Sequence, residues 1–493
     1  MIREFFENLF GRQPKKRGYA AAEKKARYSD FKSSRGSADY ELRNGLSAVR
    51  AKTRYLARNS SSMRRFLSLM KINIVGKNGF MFKSRVRRLN GDLDETLNTR
   101  VEEAWADWCE APTVDGQMSM VHLLSQAVQT WCRDGEVIWE IVRNFAYRDG
   151  IAINPLEADY LDETLNTIHP ATGNEIRMGV EIDALGKPVA YHFLTYHPGN
   201  THYMFVHSKK QHRRVTADKV IHIFERSRPG QTRGEPHGAS VVNSIKMLDG
   251  YRESETMRRR LMAAIMGFFS RDTPKPEGIS ELADDENEDE SLFEMDVEPG
   301  LLKQMPDGMR FEKFDPGGAL TDYAQFESQV KKDISMGFNI SSFALGMETE
   351  GVSYSTGRSV LVEDRDFYSY MQEFFIDNGL KRVFRLWLSM HILSDQSQIP
   401  PTRVEMVRRR CVFRGRGWAW VDPAKEVKAN SEALGTFQTS LARVAAERGI
   451  DRDDLLDEIE EDKKAAERRG LTLKYSTDSS AQTKSTEDND DDD

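Results

Sequence analysis

The sequence predicts an α+β, multidomain chain that is predominantly helical. Apolar residues recur at three-and-four spacing over several long stretches, the mark of one helical face. The block 135–225 changes period to short β-branched and aromatic runs separated by turn residues. A chain of 493 residues is also too long for one ordinary core, so two to four domains are expected.

In chain order, residues 1–39 are basic, rich in small residues and weakly periodic, and are expected to form a flexible N-terminal arm after a short initial helix. From 40 to 74, Leu46, Val49, Leu56, Met63, Phe66, Leu67 and Met70 line a helical face, with Arg and Lys on the other. Gly76 and Gly79 end that stretch as a cap and turn. Helices at about 99–110 and 119–134 follow, with Trp105, Trp108, Leu123, Val128 and Trp131 as candidate core. Strands are expected at 137–142, 179–183, 190–194 and 219–224, and a Gly/Pro-rich link at 226–238.

The rest is organised around 238–390. A first long helix is expected over 242–269, with Leu261, Ile265 and Phe268 on one face, stopped by Pro274 and Pro276. After an acidic excursion a second helix begins near Leu320, carries Tyr323, Phe326, Val330 and Ile334 on one side, and breaks at Gly337. The segment 346–357 has glycines at 346, 351 and 357 and hydroxyls from Ser353 to Thr356, and is expected to be a working loop. A third long helix should run over 358–390. A basic, strand-like segment covers 399–420, and Asp422-Pro423 opens helices near 423–448 and 451–469, split at Gly449. From Leu471 the Ser/Thr/Asp-rich tail is expected to be disordered.

Composition limits the function classes. No apolar run approaches the roughly 18 residues of a membrane span. The first ten residues are not a secretory signal, because acids interrupt their apolar run. Cys109, Cys132 and Cys411 are far apart and odd in number, so neither a disulfide framework nor zinc spacing is present, and synthesis in a reducing cytoplasm is expected. Net charge is -7, yet residues 1–90 hold 23 Lys and Arg against 6 Asp and Glu. A basic start on an acidic body implies different surfaces for different partners.

Candidate chemistry is sparse. Residues 281–298 hold ten Asp and Glu, including Asp284, Asp285, Glu286, Glu288, Asp289 and Glu290. They form either a solvated loop or a docking surface for a basic partner; the spacing of a calcium loop is absent. His192, His197, His202, His207 and His212 recur every five residues. Imidazole clusters can bind a metal, but that interval alternates faces on an extended chain, so strand and turn histidines are expected and no metal is assigned. Gly179 to Lys187 has six residues between its glycines, and Pro188 stands where a P-loop needs Ser or Thr. No hydrolase arrangement is present, so the chain is expected to be no enzyme and to use no cofactor. Arg258 to Arg260, Lys331-Lys332, Arg85 to Arg88 and Arg408 to Arg410 either face solvent or track a polyanion backbone.

Several stretches carry a family resemblance by their order and spacing: Arg58-Asn-Ser-Ser-Ser-Met-Arg-Arg65 leading to Asn73-Ile-Val-Gly-Lys-Asn-Gly79, Asn154-Pro-Leu-Glu-Ala-Asp159, Gly179-Val-Glu-Ile-Asp183, Val220-Ile-His-Ile-Phe224, Arg233-Gly-Glu-Pro-His-Gly238, Pro299-Gly-Leu-Leu302 and Val421-Asp-Pro-Ala-Lys-Glu426. Together, over roughly 40–470, the chain resembles the lambda-type bacteriophage portal protein family. The resemblance implies a ring, typically a dodecamer, at one capsid vertex of the virion, through which double-stranded DNA is packaged, retained and ejected. It implies a wing at 40–238, a stem helix at 239–270, a clip at 271–317, a returning stem helix at 318–338 and a tunnel loop at 339–357. A wing-linking helix at 358–398, a crown at 399–470 and an acidic tail at 471–493 complete the division. The implied channel residues are Lys331, Lys332, Glu348, Glu350, Val352, Ser353, Tyr354, Ser355 and Arg358. The acidic excursion falls in the clip, which would dock the terminase large subunit and then head-completion and connector proteins. Major capsid and scaffold proteins are further implied partners, and no membrane is.

Physical reasoning agrees. Sliding DNA needs a channel without tight contacts, which a small, hydroxyl-rich loop and an acidic body provide. Two projecting helices with little core of their own need neighbours to cover their apolar stripes. A metal-dependent nucleic-acid enzyme using the His192–His212 series is the alternative, and a scaffold without DNA passage is a third.

Overall fold

The computed structural model describes residues 35–200, 211–264, 267–271, 309–313, 321–346, 353–394, 397–418 and 423–471. The protein is mixed α and β, and mostly helical. It divides into two compact units: Met1–Ala48 with Glu157–Val220 and Phe224–Glu235, and Val49–Leu156 with Ile221–Ile223 and Pro236–Asp493.

The periodic stretch near the start forms two helices, α1 (Ala38–Asn59) and α2 (Ser61–Ile74), because Ser60 between them is extended. Gly76 and Gly79 then turn the chain at positive φ. β1 (Met81–Ser84), α3 (Glu95–Cys109) and α4 (Met120–Asp134) follow. Gly135, left-handed at φ 92°, stops α4. Next come β2 (Val137–Arg143), β3 (Ile151–Leu156), β4 (Thr167–Ile168), β5 (Glu175–Arg177), β6 (Val180–Ile182), β7 (Pro188–Leu194), β8 (His212–Thr216) and β9 (Val220–Ile223).

In the first unit, β4 to β8 make an antiparallel sheet in sequence order. Gly179 and Gly186, both at φ above 80°, are turn glycines on either side of β6, not phosphate-cradling ones. Ile176, Val180, Ile182, Tyr191, Phe193 and Val215 are buried. Arg233 is wholly buried with them, and its guanidinium donates to the carbonyls of Ala158, Leu161 and Met178. It thereby satisfies three carbonyls that water cannot reach.

The second unit is built on the three-stranded sheet β3-β2-β9 and the helices over it. Trp105, Trp108, Leu123, Val128 and Trp131 are core, as their spacing predicts. Arg50 is fully buried, against the expectation that basic residues of this stretch face out: it pairs with Glu136 at 3.0 Å. His222 meets the other Glu136 oxygen at 2.9 Å, so the buried carboxylate is bonded on both sides.

The 238–390 region departs from expectation at its first helix. α5 (Val242–Ala264) stops short, and Gly267–Arg271 is a strand, β10, paired antiparallel with β11 (Met309–Lys313). Phe268 is therefore not on the helical face with Leu261. Helical spacing stood out locally, but a cross-strand partner 40 residues further on competes for the same backbone. α6 (Thr321–Phe338), α7 (Ser342–Gly346) and α8 (Tyr354–Phe375) follow. A π-helical turn (Ile376–Leu380) leads from α8 into α9 (Lys381–His391) without a break. The 399–420 segment is less strand-like than expected: α10 (Val404–Arg409) precedes a short β12 (Cys411–Arg414), which pairs with β1. The region expected to hold two helices holds three, α11 (Pro423–Gly435), α12 (Leu441–Glu447) and α13 (Arg452–Arg468), with Gly449 turning at φ 72°.

α9 brings Phe384 and Trp387 to within 5.3 Å of Trp105, and Phe82 and Phe413 join them. The N-terminus of α13 is fastened to β1 by Arg85, which binds Asp451 and Asp453, and by Lys83, 2.6 Å from Asp454. Arg85 is thus a structural cation, and Arg87 and Arg88 are tied locally to Gly91 and Asp94.

Candidate DNA-channel site

α5 and α6 pack antiparallel, and Gly337 shows why they can. A Cβ there would lie 2.1 Å from Val241 Cγ1. The helix runs through Gly337 to Phe338, so this glycine permits close approach and does not break the helix as expected. Phe338 stacks on Phe66 at 4.0 Å, and Ile245, Leu248 and Ile334 close that end. Further out the contact is polar and aromatic. Tyr251 meets Tyr323 and Phe326, and Glu327 bonds Arg252 at 2.6 Å and Lys331 at 3.1 Å. Phe326, expected on the packed side, is half exposed. Burial opposes ionisation of Glu327, but Arg252, Lys331 and Tyr323 outweigh it and hold the carboxyl down at about 2.

These pairings sort the expected channel cations. Lys331 is paired with Glu327, which it shares with Arg252, whereas Lys332 is exposed. Arg258 and Arg259 both fold back on Glu255, at 2.9 and 3.0 Å, leaving Arg260 of that run exposed. In the last run, Arg408 and Arg409 share Glu405.

Residues 347–352 lie outside the described residues, and described helices reach into both ends of the 346–357 segment. Its near side is α7, whose start is pinned when Ser341 N–H and Oγ–H donate to the Asp364 carboxylate at 2.8 and 2.5 Å. Its far side is Ser353, whose Oγ accepts the Thr356 N–H at 3.2 Å and caps α8. Ser353, Tyr354 and Ser355, expected as free loop residues, are the cap and first turn of a helix. The local hydroxyl run that looked like a slippery loop is a capping signal. Arg358 is also helical, 3.5 Å from Glu426. Glu348, Glu350 and Val352 lie outside the described residues, as do Asp284, Asp285, Glu286, Glu288, Asp289 and Glu290.

The described histidines of the five-residue series diverge. His192 meets Glu181, His197 meets Glu157 and His212 meets Asp162, each at 2.9 to 3.1 Å. Each has a carboxylate that the sequence reading did not find, since none is close in sequence. Arg214 beside Glu181, aided by Asn174 and His192, overcomes burial and holds that carboxyl well below the usual range. Among the described residues, Glu157, Asp159 and His197 bring ligand atoms within 4.8 Å of one another. However, His197 Nδ1 accepts the Gly199 N–H at 3.0 Å, which leaves the ring proton on Nε2. A proton, not a lone pair, then faces the carboxylates. His202 and His207 lie outside the described residues. No described helix is long and apolar enough to cross a membrane.

A sequence profile for "Phage portal protein, lambda family" matches residues 24–372. A probable portal protein of Halomonas phage phiHAP-1 is 30% identical over 448 residues, covering 90% of this chain and 85% of that one. The chain belongs to the lambda family of phage portal proteins. Membership carries the function: a ring-forming portal for packaging and ejecting viral DNA, located in the virion and not an enzyme. The metal-enzyme alternative finds no support. Portal protein B of Escherichia phage lambda is 23% identical over 275 residues, 52% of this chain and 51% of its own. Among solved structures, the neck of an empty gene transfer agent particle aligns at 12% identity with a TM-score of 0.44, covering 84% of this chain and 94% of that one.

Sequence reasoning missed the packing role of Gly337 and the pairing roles of Glu327, Asp364 and Arg233. Their roles rest on partners distant along the chain, so no local signal marks them. Arg233 at least falls inside a stretch that carries the family resemblance.

Proposed function

We propose that residues 347–352 form the loop that meets DNA inside the portal ring. The observation that carries this reading is the double anchor: Asp364 fixes α7 on one side, and the Ser353 cap fixes α8 on the other. The two anchors would hold the ends of this six-residue segment in place. Glu348, Glu350 and Val352 would touch the cargo, with Ser353, Tyr354, Ser355 and Arg358 at the rim and Lys331 and Lys332 further along the channel.

In the same reading α5 and α6 are the stem, and the segment between β10 and β11 is the clip. The acids from Asp284 to Glu290 dock the terminase large subunit, then the head-completion and connector proteins. The elements before residue 238 form the wing, α8 and α9 link to it, and 399–470 form the crown. The ring is a dodecamer at the portal vertex, in contact with major capsid and scaffold proteins. Replacing 347–352 by Gly and Ser at the same length tests this. Rings and proheads should form normally while DNA packaging or retention falls. Unchanged packaging removes the loop from the mechanism. Ser353 must be kept, because deleting the cap would also fray α8.

A further inference from the structure

α9, α10 and β12 enclose an open groove of about 490 Å³, lined by Lys381, Arg385, Glu405, Arg408, Arg409 and Cys411. Lys381 and Arg385 are four apart on α9 and so share a face. Arg408 and Arg409 stand at the C-terminal end of α10. Among the described residues, Glu405 is the one carboxylate in the lining, shared by Arg408 and Arg409 at 3.7 and 2.7 Å. Asp377 outside it takes Lys381 at 2.6 Å. Two carboxylates thus face four cations, and Arg385 and Arg409 are exposed. The field is felt by Cys411: burial raises its thiol pKa, while Arg385 and Lys381 pull against that rise. This surplus sits on a chain whose net charge is negative.

We propose that this groove binds the phosphate backbone of duplex nucleic acid, at a site separate from the 347–352 loop. The lining selects the partner. Among the described residues its lining has no aromatic ring on which an unpaired base could stack, which disfavours single strands. Those described residues form no apolar pocket to anchor a peptide, which disfavours an acidic protein segment. What it offers is guanidinium forks, which suit phosphate oxygens and read no sequence. Binding is therefore weak, sequence-independent and steeply salt-dependent. The inference rests on the portal reading only in that the chain meets duplex DNA; it does not need the loop.

The test uses the full chain and a short labelled duplex, with affinity followed by fluorescence anisotropy across a salt series. Each phosphate contact contributes about 0.9 to the log–log slope. Arg385→Ala with Arg408→Ala should lower the slope by about two and the affinity by roughly tenfold or more. Both side chains are exposed, and an unchanged melting temperature would show that the fold survives. The chain with 347–352 replaced should keep its slope, so failure here and failure of the loop proposal are distinguishable. In a Cys109→Ala background, bound duplex should slow alkylation of Cys411. The proposal is overturned by an unchanged slope in the double variant, by Cys411 alkylation indifferent to duplex, or by an oligo-aspartate peptide binding as tightly as the duplex.

Discussion

The two ends of the α5–α6 pair are held by different physics. Near Gly337, the chain buries Val241, Val242, Ile245, Leu248, Ile334 and Phe338 against its own core. Beyond Leu248, no described apolar side chain of either helix is buried; Met257 is 53% exposed, Met262 39% and Phe326 49%. There the contact rests on one tyrosine cluster and the Arg252–Glu327–Lys331 bonds. Hydrophobic burial fixes the root within one chain, whereas the outer part leaves Met257, Met262 and Phe326 partly exposed. Under the stem reading proposed above, neighbouring subunits of the ring would cover that flank while the root holds within one chain.

The largest expected effect is at the root. Phe338→Ala removes the ring stacked on Phe66 and should cost about 3–5 kcal/mol in urea unfolding. A cost below about 1 kcal/mol would mean the root is not the tighter end. Gly337→Ala comes next. Its methyl meets Val241, and overpacking should cost about 1–3 kcal/mol by the same measurement. No loss would show that the helices can separate cheaply.

Glu327 tests the outer clasp by pH. Its folded pKa of about 2 lies below the ordinary value of 4.5, so its stabilisation is whole above about pH 4.5 and is lost as pH falls towards 2. Thermal unfolding of the chain and of Glu327→Gln should differ at pH 5 and converge near pH 2. A difference that persists at pH 2 would assign the effect to shape, not charge.

Local pattern made much of this legible. The core tryptophans, the strands at 137–142 and 190–194, the helix ends at Gly76 and Gly135 and the long helix over 358–390 all follow from periodicity and turn chemistry. What could not be read depends on distant partners. β10 needs β11, β1 needs β12, and Arg50 is buried only because Glu136 awaits it. The local roles of the candidate channel residues were less legible. The hydroxyls at 353–356 read as a loop but serve as a helix cap, and Lys331 proved paired with Glu327 while Lys332 is exposed.

The smallest effect on the single chain, and the most direct test of the account, comes from Met257→Asp. On an exposed site it should change subunit stability by no more than about 0.5 kcal/mol. Sedimentation of the purified chain should give a closed ring for the parent and free subunits, equally well folded, for the variant. Rings of unchanged mass and stability in the variant would contradict the claim that neighbours complete the α5–α6 pair.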